Sequence, residues 1–143
     1  MIFATENLPT DSVDFNGVKI LLAEDNELNA EIATVQLEEL GIKVTRACDG
    51  DDAVKIFSEN PPDTFDIIFM DIMMPKKNGY EATTAIRGLA NRPDSRTIPI
   101  IAMTANAFVE DVQASLDAGM NGHLAKPIVM EEVKKSIIMN LNR

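Results

Sequence analysis

The sequence has one cysteine, few basic residues and no long apolar run, and each shortage excludes a class of protein. Cys48 is alone, so no internal disulfide can form, which agrees with a reducing compartment. No segment approaches the ~18 consecutive apolar residues of a membrane span. The first residues lack a basic segment followed by an apolar one, so we expect no signal peptide.

The balance of charge is acidic, with 13 basic against 23 acidic residues and a net charge of −10. Proteins that bind nucleic acid gain affinity when their lysines and arginines release counterions from the phosphates. An acidic domain has little of this driving force. We therefore expect no direct contact with DNA or RNA.

The length and apolar content suit one folded domain. The chain has 143 residues, of which 45% are hydrophobic, enough for a single core without disulfides or structural metal. Residues 1–16 are polar and without a sustained period, so we interpret them as a tail or the remnant of a linker. The folded domain is expected to span residues 17–143.

Short apolar segments alternate with segments of helical period along the whole domain. This order predicts an α/β fold, a (βα)5 doubly wound parallel sheet of the flavodoxin-like type with strand order 2-1-3-4-5. The predicted strands are residues 18–23, 43–47, 65–70, 98–103 and 123–125. The predicted helices are residues 26–40, 51–59, 80–89, 108–118 and a last one from about 130.

Two groups of side chains carry expectations about burial. Leu28, Ile32 and Val35 recur at helical spacing in the first helix, so we expect them to face the core. Arg87, Arg92 and Arg96 lie in or near the polar segment 90–97. We expect these arginines to be solvated, with a docking patch as the alternative.

Polar side chains stand at the ends of four of the five predicted strands. They are the pair Glu24-Asp25, then Asp71, Thr104 and Lys126. The carboxyl ends of parallel strands lie at one edge of the sheet, and ligands bind in the crevice there. With strand order 2-1-3-4-5, the crevice falls between the first and third strands, which end in the three carboxylates.

Three carboxylates in one crevice repel one another. A pair ~4 Å apart costs on the order of 4 kcal/mol at an effective dielectric of 20. Either some of Glu24, Asp25 and Asp71 are protonated, or a cation lies among them. Hard oxygen ligands favour Mg²⁺, with Mn²⁺ as the alternative, over zinc.

Lys126 and Thr104 add the groups that phosphoryl transfer requires. A phosphoryl group in transfer spreads negative charge over three oxygens, and catalysis is mainly positioning and charge stabilisation. A metal, the Lys126 ammonium and the Thr104 hydroxyl with a backbone N–H can each take one oxygen. Asp71, between cation and lysine, is the best candidate for the nucleophile.

With these residues at its strand ends, the chain resembles the receiver domain of two-component response regulators, most of all the receivers of hybrid sensor histidine kinases. The resemblance covers roughly residues 17–143, and the motifs each end their own strand. The matching motifs are Glu24-Asp25, Met70-Asp71-Ile72-Met73-Met74-Pro75 followed by Gly79, Ala102-Met103-Thr104-Ala105, and Ala125-Lys126-Pro127.

The resemblance implies a role for each matching residue. Asp71 would accept a phosphoryl group from a histidine of a kinase or a histidine phosphotransfer domain. Asp25, Asp71 and the Met73 carbonyl would bind Mg²⁺ directly, and Glu24 through water. Lys126 would contact the phosphoryl group, and Thr104 would move towards it. The Lys126-Pro127 peptide bond is often cis in this family.

The resemblance also implies the setting of the domain. An isolated receiver is not an enzyme with turnover, although it catalyses its own phosphorylation and dephosphorylation. We expect a cytoplasmic location, without direct membrane contact, either free-standing or as part of a sensor kinase that can be membrane-anchored. We lean towards a fragment of a longer kinase. A dimer through the fourth strand, fourth helix and fifth strand is left open.

Three alternative functions keep the same topology. An aspartate-nucleophile, Mg²⁺-dependent phosphohydrolase typically needs a second aspartate two residues after the first, and Met73 stands there. A flavin-binding module cradles phosphate after the first strand, where Glu24 and Asp25 would repel it. A receiver-like adaptor that is never phosphorylated stays open because His123 replaces an aromatic residue common in this family.

Overall fold

The computed structural model describes residues 13–90, 92–105 and 109–141. The strands are β1 (Lys19–Ala23), β2 (Lys43–Ala47), β3 (Ile67–Asp71), β4 (Ile100–Thr104) and β5 (Gly122–Ala125). The helices are α1 (Glu27–Glu38), α2 (Gly50–Glu59), α3 (Gly79–Arg87), α4 (Val109–Ala118) and α5 (Met130–Leu141), with a short 3₁₀ helix at Pro93–Ser95. Most of the predicted tail, and the first residue of the predicted fourth helix, Phe108, lie outside the described residues.

The five strands form one parallel sheet in the order β2-β1-β3-β4-β5, as predicted. Strands β1 and β3 are direct neighbours, with Ala23 opposite Met70 in the register. Strands β3 and β4 are neighbours too, with Asp71 opposite Met103. Because all strands run the same way, their carboxyl ends meet at one edge of the sheet.

Apolar side chains alternate between the two faces of the sheet, so the core has two layers. Leu21 and Ala23 belong to the layer covered by α2 and α3. Ile20 and Leu22 belong to the layer covered by α1 and α5. Strands β3 and β4 are buried at every position, which is the pattern of parallel strands covered on both faces.

The expectation that Leu28, Ile32 and Val35 face the core was wrong. Their exposed fractions are 64%, 51% and 51%. Helix α1 instead buries Ala30, Ala33 and Leu37. With 3.6 residues per turn, these two sets lie on nearly opposite sides of the helix, and both are apolar. The side with two alanines packs on the sheet, since small side chains let a helix approach closely.

Three helices begin at residues that cap them with a side chain. Asn26, Asp49 and Asn78 each accept a hydrogen bond from a backbone N–H in the first turn of α1, α2 and α3. The Asn26 cap starts α1 immediately after Glu24 and Asp25, so the acidic pair lies at the strand–helix junction. Among the described residues, no helix combines the length and apolar character needed to cross a lipid bilayer.

One residue of the predicted tail is part of the core. Phe15 is buried, and it packs in the layer between the sheet, α1 and α5. The backbone N–H of Gly17 donates to the Gly41 carbonyl oxygen at 3.0 Å, which ties this segment to the turn before β2. The residues just before β1 therefore belong to the packed structure, and the boundary at residue 16 stays a prediction.

The prediction of solvated arginines was wrong for Arg92. Its Nε lies 2.9 Å from Asp94 Oδ1, and the side chains are only 9% and 7% exposed. Arg92 also donates to the carbonyl oxygens of Asn60 and Pro61, and it covers the Phe57 ring at 4.3 Å from the centroid. One guanidinium thus joins the end of α2 to the segment before β4.

Arg87 is also held rather than solvated. It donates to the carbonyl oxygens of Gly119 and Ser95 and to the Asn121 side chain, at 2.8 to 3.1 Å. Burial lowers its pKa. Arg96, by contrast, is exposed as predicted. The planar guanidinium of arginine can bond several carbonyl oxygens at once, which explains how Arg87 and Arg92 each hold backbone segments that are distant in sequence.

Replacement of Arg92 by methionine should destabilise the fold strongly. The change leaves the buried Asp94 carboxylate without its cationic partner, and such a loss costs about 3–5 kcal/mol. Urea unfolding followed by circular dichroism measures the difference. Arg96→Met, in the same loop but exposed, should change the free energy of unfolding by less than about 0.5 kcal/mol. Equal losses for the two variants would contradict a structural role for Arg92.

Candidate functional site

Three carboxylates meet at the carboxyl edge of the sheet, between β1 and β3. Glu24 and Asp25 follow β1, and Asp71 ends β3. One oxygen of each lies within 4.8 Å of the others. Glu24 and Asp71 are 4% and 3% exposed, whereas Asp25 is open to solvent. Acidic groups on a surface are common without a ligand, but two buried carboxylates this close need either a nearby positive charge or a proton on one of them.

Lys126 supplies positive charge from the far side of the sheet. It follows β5, two strands away from β3, and its backbone N–H donates to the Thr104 carbonyl oxygen at 2.8 Å. Its Nζ lies 2.8 Å from Asp71 Oδ2 and 3.0 Å from Glu24 Oε1. The lysine therefore reaches across the end of β4 and joins two of the three carboxylates. The Lys126-Pro127 peptide bond is cis.

Thr104 and Met73 reach the same edge in different ways. Thr104 ends β4 and is buried, one residue beyond the register partner of Asp71. The Met73 side chain is exposed, but its backbone N–H donates to Asp71 Oδ1 at 3.2 Å. The structure thus brings Glu24, Asp25, Asp71 and Lys126 into one cluster, with Thr104 and the Met73 backbone beside it.

A glycine lets helix α3 begin directly behind Asp71. The backbone N–H of Gly79 donates to the Ile72 carbonyl oxygen at 2.9 Å. A Cβ at position 79 would lie 2.5 Å from the Asp71 carbonyl oxygen, closer than real side chains approach. The absence of a side chain at Gly79 therefore permits this contact, which fixes the backbone of the loop that follows Asp71.

Burial dominates the electrostatics of Asp71. It raises the pKa of the Asp71 carboxyl from 3.8 to about 6, with the Lys126 hydrogen bond opposing the change and the negative charge of Glu24 adding to it. For Lys126 the balance is reversed. Burial alone would lower the pKa of its ammonium, but the bonds and charges of Asp71 and Glu24 outweigh burial and raise it.

The sign of the pH effect on stability follows from the raised pKa. The folded protein holds a proton on Asp71 more tightly than the unfolded chain does, without metal bound. This contribution to stability is present below pH 3.8 and is lost as the pH rises through about 6. Above that pH the ionised, buried carboxylate is a source of instability that a bound cation would relieve.

One residue near the site was not predicted from the sequence. Arg46, on β2, donates from Nε and Nη2 to the Glu24 carbonyl oxygen at 3.1 and 3.0 Å. Its Nη2 also lies 3.3 Å from the Asp25 carbonyl oxygen. The sequence offers one signal, a charged residue next to the last position of the predicted strand 43–47.

His123 lies on β5 and is exposed. The strand pairs with β4, with Ala102 opposite His123 and Ala125 opposite Thr104. His123, which replaces an aromatic residue common in the family that the sequence resembles, therefore lies on the edge strand β5, next to the strand that carries Thr104.

The chain belongs to the response regulator receiver domain family, whose model matches residues 20–138. The peroxide stress-activated histidine kinase mak1 of Schizosaccharomyces pombe is 35% identical over 127 residues. The sensor histidine kinase RcsC of Escherichia coli is 34% identical over 130 residues. These alignments cover 89% and 91% of this chain but only 8% and 13% of the two relatives.

Solved structures agree with this membership. The receiver domain of the sensor histidine kinase PA1611 from Pseudomonas aeruginosa, with magnesium coordinated in its active-site cleft, is 38% identical with a TM-score of 0.78. It covers 89% of this chain and 99% of its own. The Saccharomyces cerevisiae receiver of Ssk1, solved with the phosphotransfer protein Ypd1, is 28% identical with a TM-score of 0.75. That match covers 86% and 88% of the two chains.

The Asp71 carboxyl should titrate with a midpoint near pH 6 in metal-free protein, as carbon-detected NMR can measure. Lys126→Met should raise this pKa, because the lysine stabilises the charged form, and Glu24→Gln should lower it. Lys76→Met, at an exposed lysine in the loop after Asp71 that pairs with Asp49, is the matched control and should leave the pKa of Asp71 unchanged. Shifts of the opposite sign would contradict the electrostatic account.

Proposed function

We propose that this receiver domain accepts a phosphoryl group from a phosphohistidine onto Asp71, with Mg²⁺ bound in the acidic cluster. The observation that carries the proposal is the Lys126 ammonium, which lies 2.8 Å from Asp71 and 3.0 Å from Glu24. A buried carboxylate between a lysine and two further carboxylates is arranged for a reaction that adds negative charge.

The residues at the cluster fit a magnesium ion. The ligand set that Glu24, Asp25 and Asp71 offer contains only carboxylate oxygens, which hard cations prefer. Without a cation, burial keeps the pKa of Asp71 near 6, and a positive ion would favour the ionised carboxylate. Asp25, Asp71 and the Met73 carbonyl would hold Mg²⁺ directly, with Glu24 acting through water. An ion bound there would supply positive charge to offset that of the incoming phosphoryl oxygens.

The side chains of this chain then divide the work of transfer. An Asp71 carboxylate oxygen attacks phosphorus as the bond to the donor histidine nitrogen breaks, and the histidine keeps that electron pair. Lys126, already on Asp71 Oδ2, stabilises the charge that develops on the phosphoryl oxygens. The hydroxyl of Thr104 takes another oxygen and so senses occupancy. In hydrolysis a water oxygen would attack phosphorus, and the Asp71 carboxylate would leave with the electron pair of its bond to phosphorus. The domain would then catalyse its own cycle without acting on a separate substrate.

The partner in this proposal is a histidine kinase or a histidine phosphotransfer domain. Leu28, Ile32 and Val35 form an exposed apolar stripe on α1, the helix that begins directly after the acidic pair. A donor helix could pack on this stripe and bring its phosphohistidine to the crevice. The complex of a yeast receiver with its phosphotransfer protein supports this class of partner.

The setting of the domain is proposed on the same basis. Its relatives are far longer kinases, so we propose that it works as one module of a hybrid sensor kinase, on the cytoplasmic side. Dimerisation through β4, α4 and β5 stays a prediction. The phosphohydrolase alternative is disfavoured because Met73, with an exposed thioether, stands where the second carboxylate would act.

Incubation with a small-molecule phosphoryl donor and Mg²⁺ should add one phosphoryl group, seen by intact-mass spectrometry. Asp71→Asn should abolish the addition, because an amide oxygen is too weak a nucleophile. Asp66→Asn, at a half-buried carboxylate that accepts from the Lys19 backbone N–H, is the matched control and should be phosphorylated like the wild type. Phosphorylation that survives Asp71→Asn would sink the proposal.

Phosphorylation should change the amide spectrum of β4 and β5, because Thr104 moves towards the phosphoryl group. Thr104→Ala should remove most of these shifts while phosphorylation itself continues. Thr104→Ser keeps the hydroxyl and should respond like the wild type. Two-dimensional NMR of the phosphorylated and free forms makes the comparison, and a normal response in Thr104→Ala would refute this coupling route.

A further inference from the structure

Arg46 ties the strand–helix junction that carries two of the site carboxylates to the neighbouring strand. The Glu24 backbone N–H donates to the Ala47 carbonyl oxygen at 3.1 Å. The Glu24 carbonyl oxygen accepts from both Nε and Nη2 of Arg46. Strand β2 therefore holds the Glu24 backbone through both its N–H and its carbonyl group, and Arg46 Nη2 extends the hold to the Asp25 carbonyl oxygen.

The two carboxylates depend on this backbone to different degrees. The Glu24 carboxylate has direct partners, since Oε1 binds Lys126 and Oε2 accepts from the Asn26 backbone N–H at 3.1 Å. In the described part of the chain, no hydrogen bond or ion pair is formed by the Asp25 carboxylate. The backbone is therefore what fixes the position from which the Asp25 side chain reaches the site, and Arg46 Nη2 donates to the carbonyl oxygen of that residue.

The placement of the Arg46 charge is also informative. The guanidinium bonds carbonyl oxygens and not the carboxylates, so the carboxylate oxygens stay available to a cation. A nearby positive charge by itself weakens the binding of a second cation. Orientation and charge at Arg46 therefore affect metal affinity in opposite directions, and this difference makes the two roles separable.

We propose that Arg46 is a positioning residue for the divalent cation, because it orients the Glu24 and Asp25 carboxylates through their backbone carbonyl groups. The inference rests on the proposed metal site. It adds to the metal ligands a residue on β2, Arg46, that would not itself contact the ion. Partners that orient metal ligands from behind are worth about 10–100-fold in metal affinity in other proteins.

The test is the affinity of the metal-free protein for Mg²⁺, measured by isothermal titration calorimetry. Arg46→Lys keeps the charge but loses the fork that bonds two carbonyl oxygens, and we expect it to weaken binding roughly 10-fold. Arg46→Met should weaken binding too, but less than Arg46→Lys, because the loss of a nearby positive charge partly offsets the loss of orientation. Lys43→Met removes one positive charge from the other, exposed end of β2 and should bind like the wild type.

Each outcome has one meaning. If Arg46 acted through charge alone, Arg46→Lys would bind Mg²⁺ like the wild type and Arg46→Met would bind it more tightly, and either result overturns the inference. If Arg46 only stabilised the fold, the folded variants would bind Mg²⁺ normally, which overturns it too. A wild-type protein that binds no Mg²⁺ would instead refute the proposed function.

A second measurement separates positioning from catalysis. In Arg46→Lys, the Mg²⁺ concentration that gives half-maximal phosphorylation by a small phosphoryl donor should rise with the dissociation constant. The maximal rate at saturating Mg²⁺ should return to the wild-type value, since Asp71 and Lys126 are untouched. A maximal rate that stays low at every Mg²⁺ concentration would contradict a role through metal binding.

Discussion

The ion cluster of Lys126 with Asp71 and Glu24 is the constraint on which the site depends. Two buried carboxylates in contact are unfavourable, and one ammonium 2.8 and 3.0 Å away offsets part of that cost. Burial still keeps the pKa of Asp71 near 6, so the compensation is incomplete without a further cation. The same imbalance makes the cluster a site for a metal and for a phosphoryl group, because both complete its charges.

Much of this arrangement could be predicted from the sequence because it follows from the geometry of parallel strands. Apolar segments that each end in a polar residue indicate strands whose carboxyl ends meet at one edge. That reasoning predicts the sheet order, and it predicts that Glu24, Asp25 and Asp71 lie near one another. The contact of Lys126 with these carboxylates could be predicted too, because a lysine side chain is long enough to cross the end of β4.

The buried side of helix α1 could not be predicted from the sequence. Helix α1 has apolar residues on both sides, and period alone cannot tell which side a sheet will cover. The alanines at 30 and 33 decide it by allowing close approach. The arginines were misjudged for a different reason: Arg87 and Arg92 were expected to be solvated, and Arg46 was not singled out. Each binds backbone carbonyl groups that are distant in sequence, and such contacts produce no periodic pattern of residues from which they could be predicted.

The most direct test of the account is a crystal structure of the protein grown with Mg²⁺. The account predicts one ion bound directly by Asp25, Asp71 and the Met73 carbonyl oxygen, with Glu24 reached through water and the Lys126 ammonium still within hydrogen-bond distance of Asp71. An ion bound elsewhere, or a lysine turned to solvent with Asp71 unpaired, would contradict it.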